Sequence, residues 1–98
     1  MNLYYILDEH TPVACDMMTW VNRYEKNSWR VAKTDKGDIL VSTVFLGINH
    51  QWGSGPPLLF ETMIFGGEHD QDMDRCSTWE QAEAMHAAMC KIAFGDAA

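Results

Sequence analysis

The segment Asn49-His50-Gln51-Trp52 sets hydrogen-bond donors, an acceptor and an aromatic plate side by side. It lies in an eleven-residue loop, Gly47 to Pro57, between two apolar runs. Hairpin loops usually take about two to five residues, and longer ordered loops tend to carry function. Asn49, His50, Gln51 and Trp52 are therefore expected to hold a small polar ligand or a peptide. The plainer reading is that His50 and Trp52 fold back to cap the strands while Pro56-Pro57 stiffens the return. Glu61, the lone acid of the flanking runs, is a candidate general acid facing His50 across the strand end. Such a residue more often sits wet at a sheet rim.

Three other patterns have metal or nucleophile chemistry as a candidate use. Asp70-x-Asp72-x-Asp74 repeats carboxylates as the first half of a calcium loop does. The sharp-turn position is Arg75 and the bidentate position is Gln81, so a solvated acidic loop is expected and no metal. His86 and Cys90 stand at i and i+4, a spacing able to offer zinc two ligands. Further ligands would have to come from afar, and His86 adjoins an apolar stripe, so a satisfied buried histidine is expected. Cys15, Cys76 and Cys90 are odd in number and lack CxxC spacing, which points to free thiols rather than a disulfide frame. No base stands beside any of them in sequence, and no cofactor is expected.

Charge is the strongest compositional signal. The chain carries −7 in total. Residues 1–60 hold six acids against five bases, whereas residues 61–98 hold eight acids against Arg75 and Lys91. A surface of that sign repels phosphate, which argues against direct nucleic-acid or anionic-membrane binding and favours a basic protein partner. Glu68, Asp70, Asp72, Asp74, Glu80 and Glu83 are the expected contact residues.

These side chains need a frame, and the apolar pattern supplies one. Ile39 to Leu46 and Leu58 to Phe65 are rich in β-branched and aromatic residues and read as a long hairpin with both faces apolar. Leu3 to Leu7 reads as a strand stopped by Asp8-Glu9-His10-Thr11-Pro12, and Trp29 to Lys33 as a strand turning at Thr34 to Asp38. Asp16 is a cap for a helix with the stripe Met17, Trp20, Val21 and Tyr24, ending near Lys26-Asn27. Ser77-Thr78-Trp79-Glu80 matches a capping box with the serine as cap, opening a helix whose stripe is Trp79, Ala82, Met85, Met89 and Ile92. Glu68 to Arg75 has no periodicity and reads as an exposed loop or edge.

The expected order is β-α-β-β-β-α, an α+β domain over residues 1–98 with a mainly antiparallel four-stranded sheet and two helices packed on it. If both helices share one face, a homodimer through the other is expected, since a large exposed apolar patch is rare on a monomer. With 47% apolar and 21% charged residues the chain has an ordinary globular composition. Its start lacks the pattern of a signal peptide, and no run approaches the ~18 apolar residues of a membrane span, so a cytoplasmic location is expected.

The stretch VSTVFLGINHQWGSGPPLLFETMIFGG, followed by the opening S-T-W-E-Q-A-E-A, resembles a group of small proteins of phages and prophage-bearing bacteria. In that group VSTVFLG, a histidine, GPPLLFETM and FGG recur ahead of a similar terminal helix. The resemblance covers Val41 to about Met89, and the chain departs from it in the longer acidic insertion Glu68 to Arg75. What it implies is an accessory role in phage–host biology. Joined to the acidic charge, it leads to the expectation of a non-catalytic inhibitor of a host nucleic-acid-handling defence protein, such as a CRISPR effector or a restriction nuclease. The competing expectation is a ligand-binding protein or small enzyme using the 47–57 loop with His50 and Glu61.

Overall fold

The computed structural model describes residues 3–26, 29–51 and 53–95. Its elements in chain order are β1 (Tyr4–Asp8), β2 (Thr11–Cys15), α1 (Met17–Lys26), β3 (Arg30–Lys36), β4 (Ile39–Phe45), β5 (Phe60–Phe65), β6 (Met73–Cys76) and α2 (Trp79–Phe94). The α+β class and the four-stranded antiparallel sheet are as expected; the sheet runs β3-β4-β5-β6. Its membership differs. The N-terminal strand stays outside it and pairs with β2 in a separate hairpin, and the fourth place belongs to β6. The order is thus β-β-α-β-β-β-β-α. Pro12 masked β2 in the sequence, yet β2 pairs on one side only, where a strand tolerates proline. Asp74 and Arg75 masked β6, which is an edge strand and can carry charge.

The core is the seam between the hairpin β4–β5 and α2. Register sets Val41 opposite Ile64, Thr43 opposite Thr62 and Phe45 opposite Phe60, all buried on one face. Ala82, Met85, His86 and Met89 of α2 cover them. Each large apolar side chain buried this way contributes roughly 1.5–3 kcal/mol. The opposite face carries half-buried Leu40, Val44 and Met63, with Phe65 43% and Met73 46% exposed. That open face is the one through which a second copy was expected.

The cap of α2 falls one residue later than expected. Thr78 is the cap in extended conformation, its hydroxyl accepts from Gln81 N at 3.1 Å, and Gln81 Oε1 accepts from Thr78 N at 3.2 Å and Ser77 N at 3.1 Å. Gln81 therefore does the work assigned to Glu80, which is left free to face solvent. Ile92 also falls off the stripe, 48% exposed, and Ala93 packs against the core in its place.

Helix α1 does not lie on the sheet beside α2; it packs against β1. Asp16 caps it, accepting from Thr19 N at 2.8 Å. The N-terminal unit is hydrogen-bonded to the sheet just past the end of β4. Tyr5 N donates to Gly47 O at 2.7 Å, Asn49 N donates to Leu3 O at 2.9 Å, and Trp20 Nε1 donates to Leu46 O at 3.4 Å. Gly47 sits at φ +73°, and a Cβ there would run into the Trp20 indole and the Tyr5 carbonyl. Both the left-handed backbone and the close approach demand glycine. Gly47→Ala is expected to lower the unfolding free energy by at least about 1–2 kcal/mol. Urea titration followed by tryptophan fluorescence measures it, and an unchanged midpoint would contradict this account of the junction.

Candidate functional site

The 47–57 loop is ordered by its own polar groups. Asn49 Oδ1 accepts from Gln51 N at 2.8 Å and from Leu58 N at 3.2 Å, closing the loop on itself. That is the local side chain to backbone bonding asparagine favours in turns, and it spends the acceptor on the fold. Gln51 Nε2 donates to Pro56 O at 3.4 Å within the same loop, on the side facing Cys76 and α2. Trp52 lies outside the described residues. Asn49 and Gln51 thus do not converge with His50 on one ligand.

His50 lines a different cleft, whose other walls were not foreseen. It has a volume of about 450 Å³ and is walled by Trp20 and Tyr24 of α1, Trp29 and Arg30 at the start of β3, and Phe45 of β4. The rings support one another: Trp20 and Tyr24 stack at 5.2 Å, Tyr24 meets Trp29 edge-on at 5.2 Å, and Trp29 meets Phe45 at 5.2 Å. Such offset and edge-to-face pairs are each worth about 0.5–1.5 kcal/mol beyond burial, so the walls are preformed. Tyr24 remains 55% exposed because α1 reaches over the strand ends and does not close onto the sheet. In the sequence Trp20 and Tyr24 belong to an ordinary helix stripe and Trp29 to the start of a strand. Periodicity does not separate a ring that fills a core from one that walls a cleft.

Glu61 and His50 are not brought together. Glu61 lies opposite Arg75 in the register, and Arg75 Nε donates to its Oε2 at 3.0 Å. The carboxylate is neutralised by its cross-strand neighbour and is absent from the wall of the His50 cleft. Of the expected contact acids, Glu68, Asp70 and Asp72 lie in the β5–β6 connection, Asp74 on β6, and Glu80 and Glu83 at the start of α2. Glu68, Asp70, Asp72 and Asp74 belong to the β6 edge of the sheet, whereas Glu80 and Glu83 line a cleft with His10 and Trp79. Asp70 Oδ1 accepts from Gly66 N at 2.6 Å, Asp72 meets His69 Nδ1 at 3.1 Å, and Asp74 Oδ1 accepts from Arg75 N at 2.9 Å. The three carboxylates of the calcium-like pattern thus point to three separate partners. Among the described residues, no three metal-ligating side chains converge.

His86 is a satisfied core histidine. Its Nδ1 lies 2.7 Å from Thr43 Oγ1 and its Nε2 2.9 Å from Thr34 Oγ1, and Thr43 Oγ1 lies 2.5 Å from Thr62 Oγ1. A neutral imidazole has one donor and one acceptor, and hydroxyls do both, so the chain closes in either tautomer. Neither nitrogen is left for zinc. Burial, with a smaller push from Asp74, raises the Cys76 thiol to about 11, and burial also raises Cys15, so both stay protonated at neutral pH. No helix among the described residues is long and apolar enough to cross a membrane. Comparison with protein-family models, curated proteins and solved structures finds no match for the chain.

Burial holds the His86 imidazole below its ordinary value of about 6.5. The unfolded chain therefore binds that proton more readily than the folded protein does. The stability this contributes is complete above the unfolded value and is lost as pH falls through the lowered folded value. Urea midpoints measured from pH 7.5 down to 5 are expected to fall in the wild type and to fall less steeply in His86→Gln. The variant should also cost about 1–3 kcal/mol at neutral pH through its broken hydroxyl chain. Parallel pH slopes for the two proteins would contradict the assignment.

Proposed function

We propose that the protein is a binding protein without catalysis of its own, whose ligand is a small organic molecule held in the cleft between α1 and the strand ends. The observation that supports this reading is the preformed aromatic wall around about 450 Å³, within the roughly 300–1,000 Å³ of small-molecule sites. The convergent groups are few, Arg30 and His50, which suits orientation of a ligand. The candidate acid is engaged by Arg75, the buried histidine by two threonines, and the Cys76 thiol is protonated, so the reactive side chains nearest to catalysis are each otherwise occupied. Screening small planar heterocycles by ¹⁵N-correlated NMR is expected to yield ligands that shift the Trp20 and Trp29 indole signals. Val44→Phe, which adds bulk at the cleft wall, is expected to abolish those shifts while leaving the remaining spectrum in place. No ligand, or ligands indifferent to Val44→Phe, would overturn the reading.

A second reading keeps the acidic edge as a binding surface for a basic host protein, within the phage-type accessory role and the host cell. Its support is that Glu68, Asp70, Asp72, Asp74, Glu80 and Glu83 are all exposed and, among the described residues, none is ion-paired to Lys or Arg. Unneutralised carboxylates along an edge can occupy a groove of Lys and Arg in place of nucleic acid, as a CRISPR effector or restriction nuclease would present. Changing Asp70, Asp72 and Asp74 together to Asn should slow association with such a nuclease and flatten its salt dependence. Unchanged values of both would rule this reading out.

A further inference from the structure

The walls of the α1 cleft carry a specific charge. Three aromatic rings, Trp20, Tyr24 and Trp29, would by themselves suit a cation, since their faces are electron-rich. The polar groups in this wall reverse that preference. Arg30 supplies a permanent positive charge, His50 supplies an imidazole, and among the described residues no carboxylate is in the lining. A second, adjoining cleft of about 330 Å³ shares Trp29 and Arg30 with the first and adds Arg23 from α1. Among the described residues neither Arg23 nor Arg30 is ion-paired, although the chain has twice as many acids as Lys and Arg together, 14 against 7. Among the described residues Glu9 is the one acid lining the adjoining cleft, and it is ion-paired to neither arginine.

We propose that the cleft is a site for a planar aromatic anion. Its ring lies against Trp20, Tyr24 and Trp29, and its phosphate or carboxylate meets the Arg30 guanidinium, with His50 as the second polar contact. A flat ring matches the preformed aromatic wall, and a guanidinium fork matches the paired oxygens of a phosphate or carboxylate. Arg23, in the adjoining cleft, adds positive potential without being part of the aromatic wall. A quaternary ammonium or other cation is disfavoured by the same Arg30. This assignment rests on the cleft reading above and adds the sign and shape of the ligand.

The test uses two anions with their neutral counterparts: adenosine 5′-monophosphate against adenosine, and indole-3-acetate against indole-3-acetamide. Binding is read by ¹⁵N-correlated NMR titration on the full chain, which reports both affinity and location. At least one anion is expected to shift the Trp20 and Trp29 indole signals and to bind about tenfold or more tightly than its neutral partner, the size of one charge-assisted hydrogen bond. The anion that gains distinguishes a phosphate ligand from a carboxylate one. Arg30→Gln is expected to erase the gain while leaving the neutral compound's affinity unchanged, and Arg30→Lys to restore part of it. Arg30 is exposed on an edge strand, so both variants should keep the wild-type spectrum elsewhere. Equal affinity for each anion and its neutral partner, or a gain that survives Arg30→Gln, overturns the anion assignment and leaves the cleft reading standing. Absence of binding by all four probes also overturns the assignment, and the heterocycle screen then decides the cleft by itself.

Discussion

The structure hangs on one unbroken series of ring contacts. Tyr4 of β1 meets Trp20 of α1 at 5.6 Å, Trp20 meets Tyr24, Tyr24 meets Trp29, and Trp29 meets Phe45 at the end of β4. From Phe45 the series enters the core through Phe60 at 5.1 Å and leaves it through Trp79 at 6.3 Å, ending on His10, which stacks on Trp79 at 3.8 Å. It begins and ends on the β1–β2 hairpin. A two-stranded hairpin is marginal by itself in water, so it has to borrow stability from what it touches. Here it is held at both ends by rings that are rooted in the sheet. The price of that arrangement is a helix, α1, whose apolar stripe is spent on bridging two units and cannot also be sealed.

The polar part of the core works by the same logic of closure. Threonines face each other at the centre of β4 and β5 where aliphatic residues would pack at least as well. Left unpaired, those hydroxyls would each cost about 1–3 kcal/mol. The imidazole of His86 and the hydroxyl of Thr34 complete the chain, which ties β3, β4, β5 and α2 into one register. A helix shifted by one residue would break both links to His86. The apolar seam would tolerate a sliding helix, so the hydroxyl chain fixes where α2 lies.

How much was legible in the sequence follows from which interactions are local. The β4–β5 hairpin was readable because Ile39 to Phe45 and Phe60 to Phe65 combine strand-forming residues with an unmistakable break between them. Helix α2 was readable from its stripe and its cap, with the cap misplaced by one because Ser77 and Thr78 are chemically alike and only the backbone angle at Thr78 decides between them. Strand β6 was hidden because edge strands are permitted the charges that normally mark loops. The register that sets Glu61 against Arg75 is a tertiary fact with no local trace, and it removed the acid on which a His50 and Glu61 pair depended. Of the four loop residues singled out by type, His50 reached a cleft and Asn49 and Gln51 were used by the loop itself. Tyr24 and Trp29 were read as packing, which they are, but packing with one face left open.

An acidic protein with an anion site looks self-defeating until distances are considered. The acidic edge follows β6, whereas Arg30 lies on β3 at the other edge of the sheet. Strands lie about 4.8 Å apart, so three spacings separate the two edges by about 14 Å. Exposed charges interact over a screening length of about 8 Å at physiological ionic strength, and the potential of the acids has decayed severalfold by the time it reaches the cleft. Glu61, between the two edges, is cancelled in place by Arg75, and the carboxylate that shares a cleft with Arg30 is Glu9, alongside two guanidinium groups. The sheet thus keeps the acids of the β6 edge electrically apart from Arg30, while Glu80 and Glu83 line a cleft that shares His10 and Trp79 with that of Arg23 and Arg30. Binding of a small anion at one edge leaves the other edge as attractive to a basic partner as before, which makes the two proposed surfaces compatible in a single molecule.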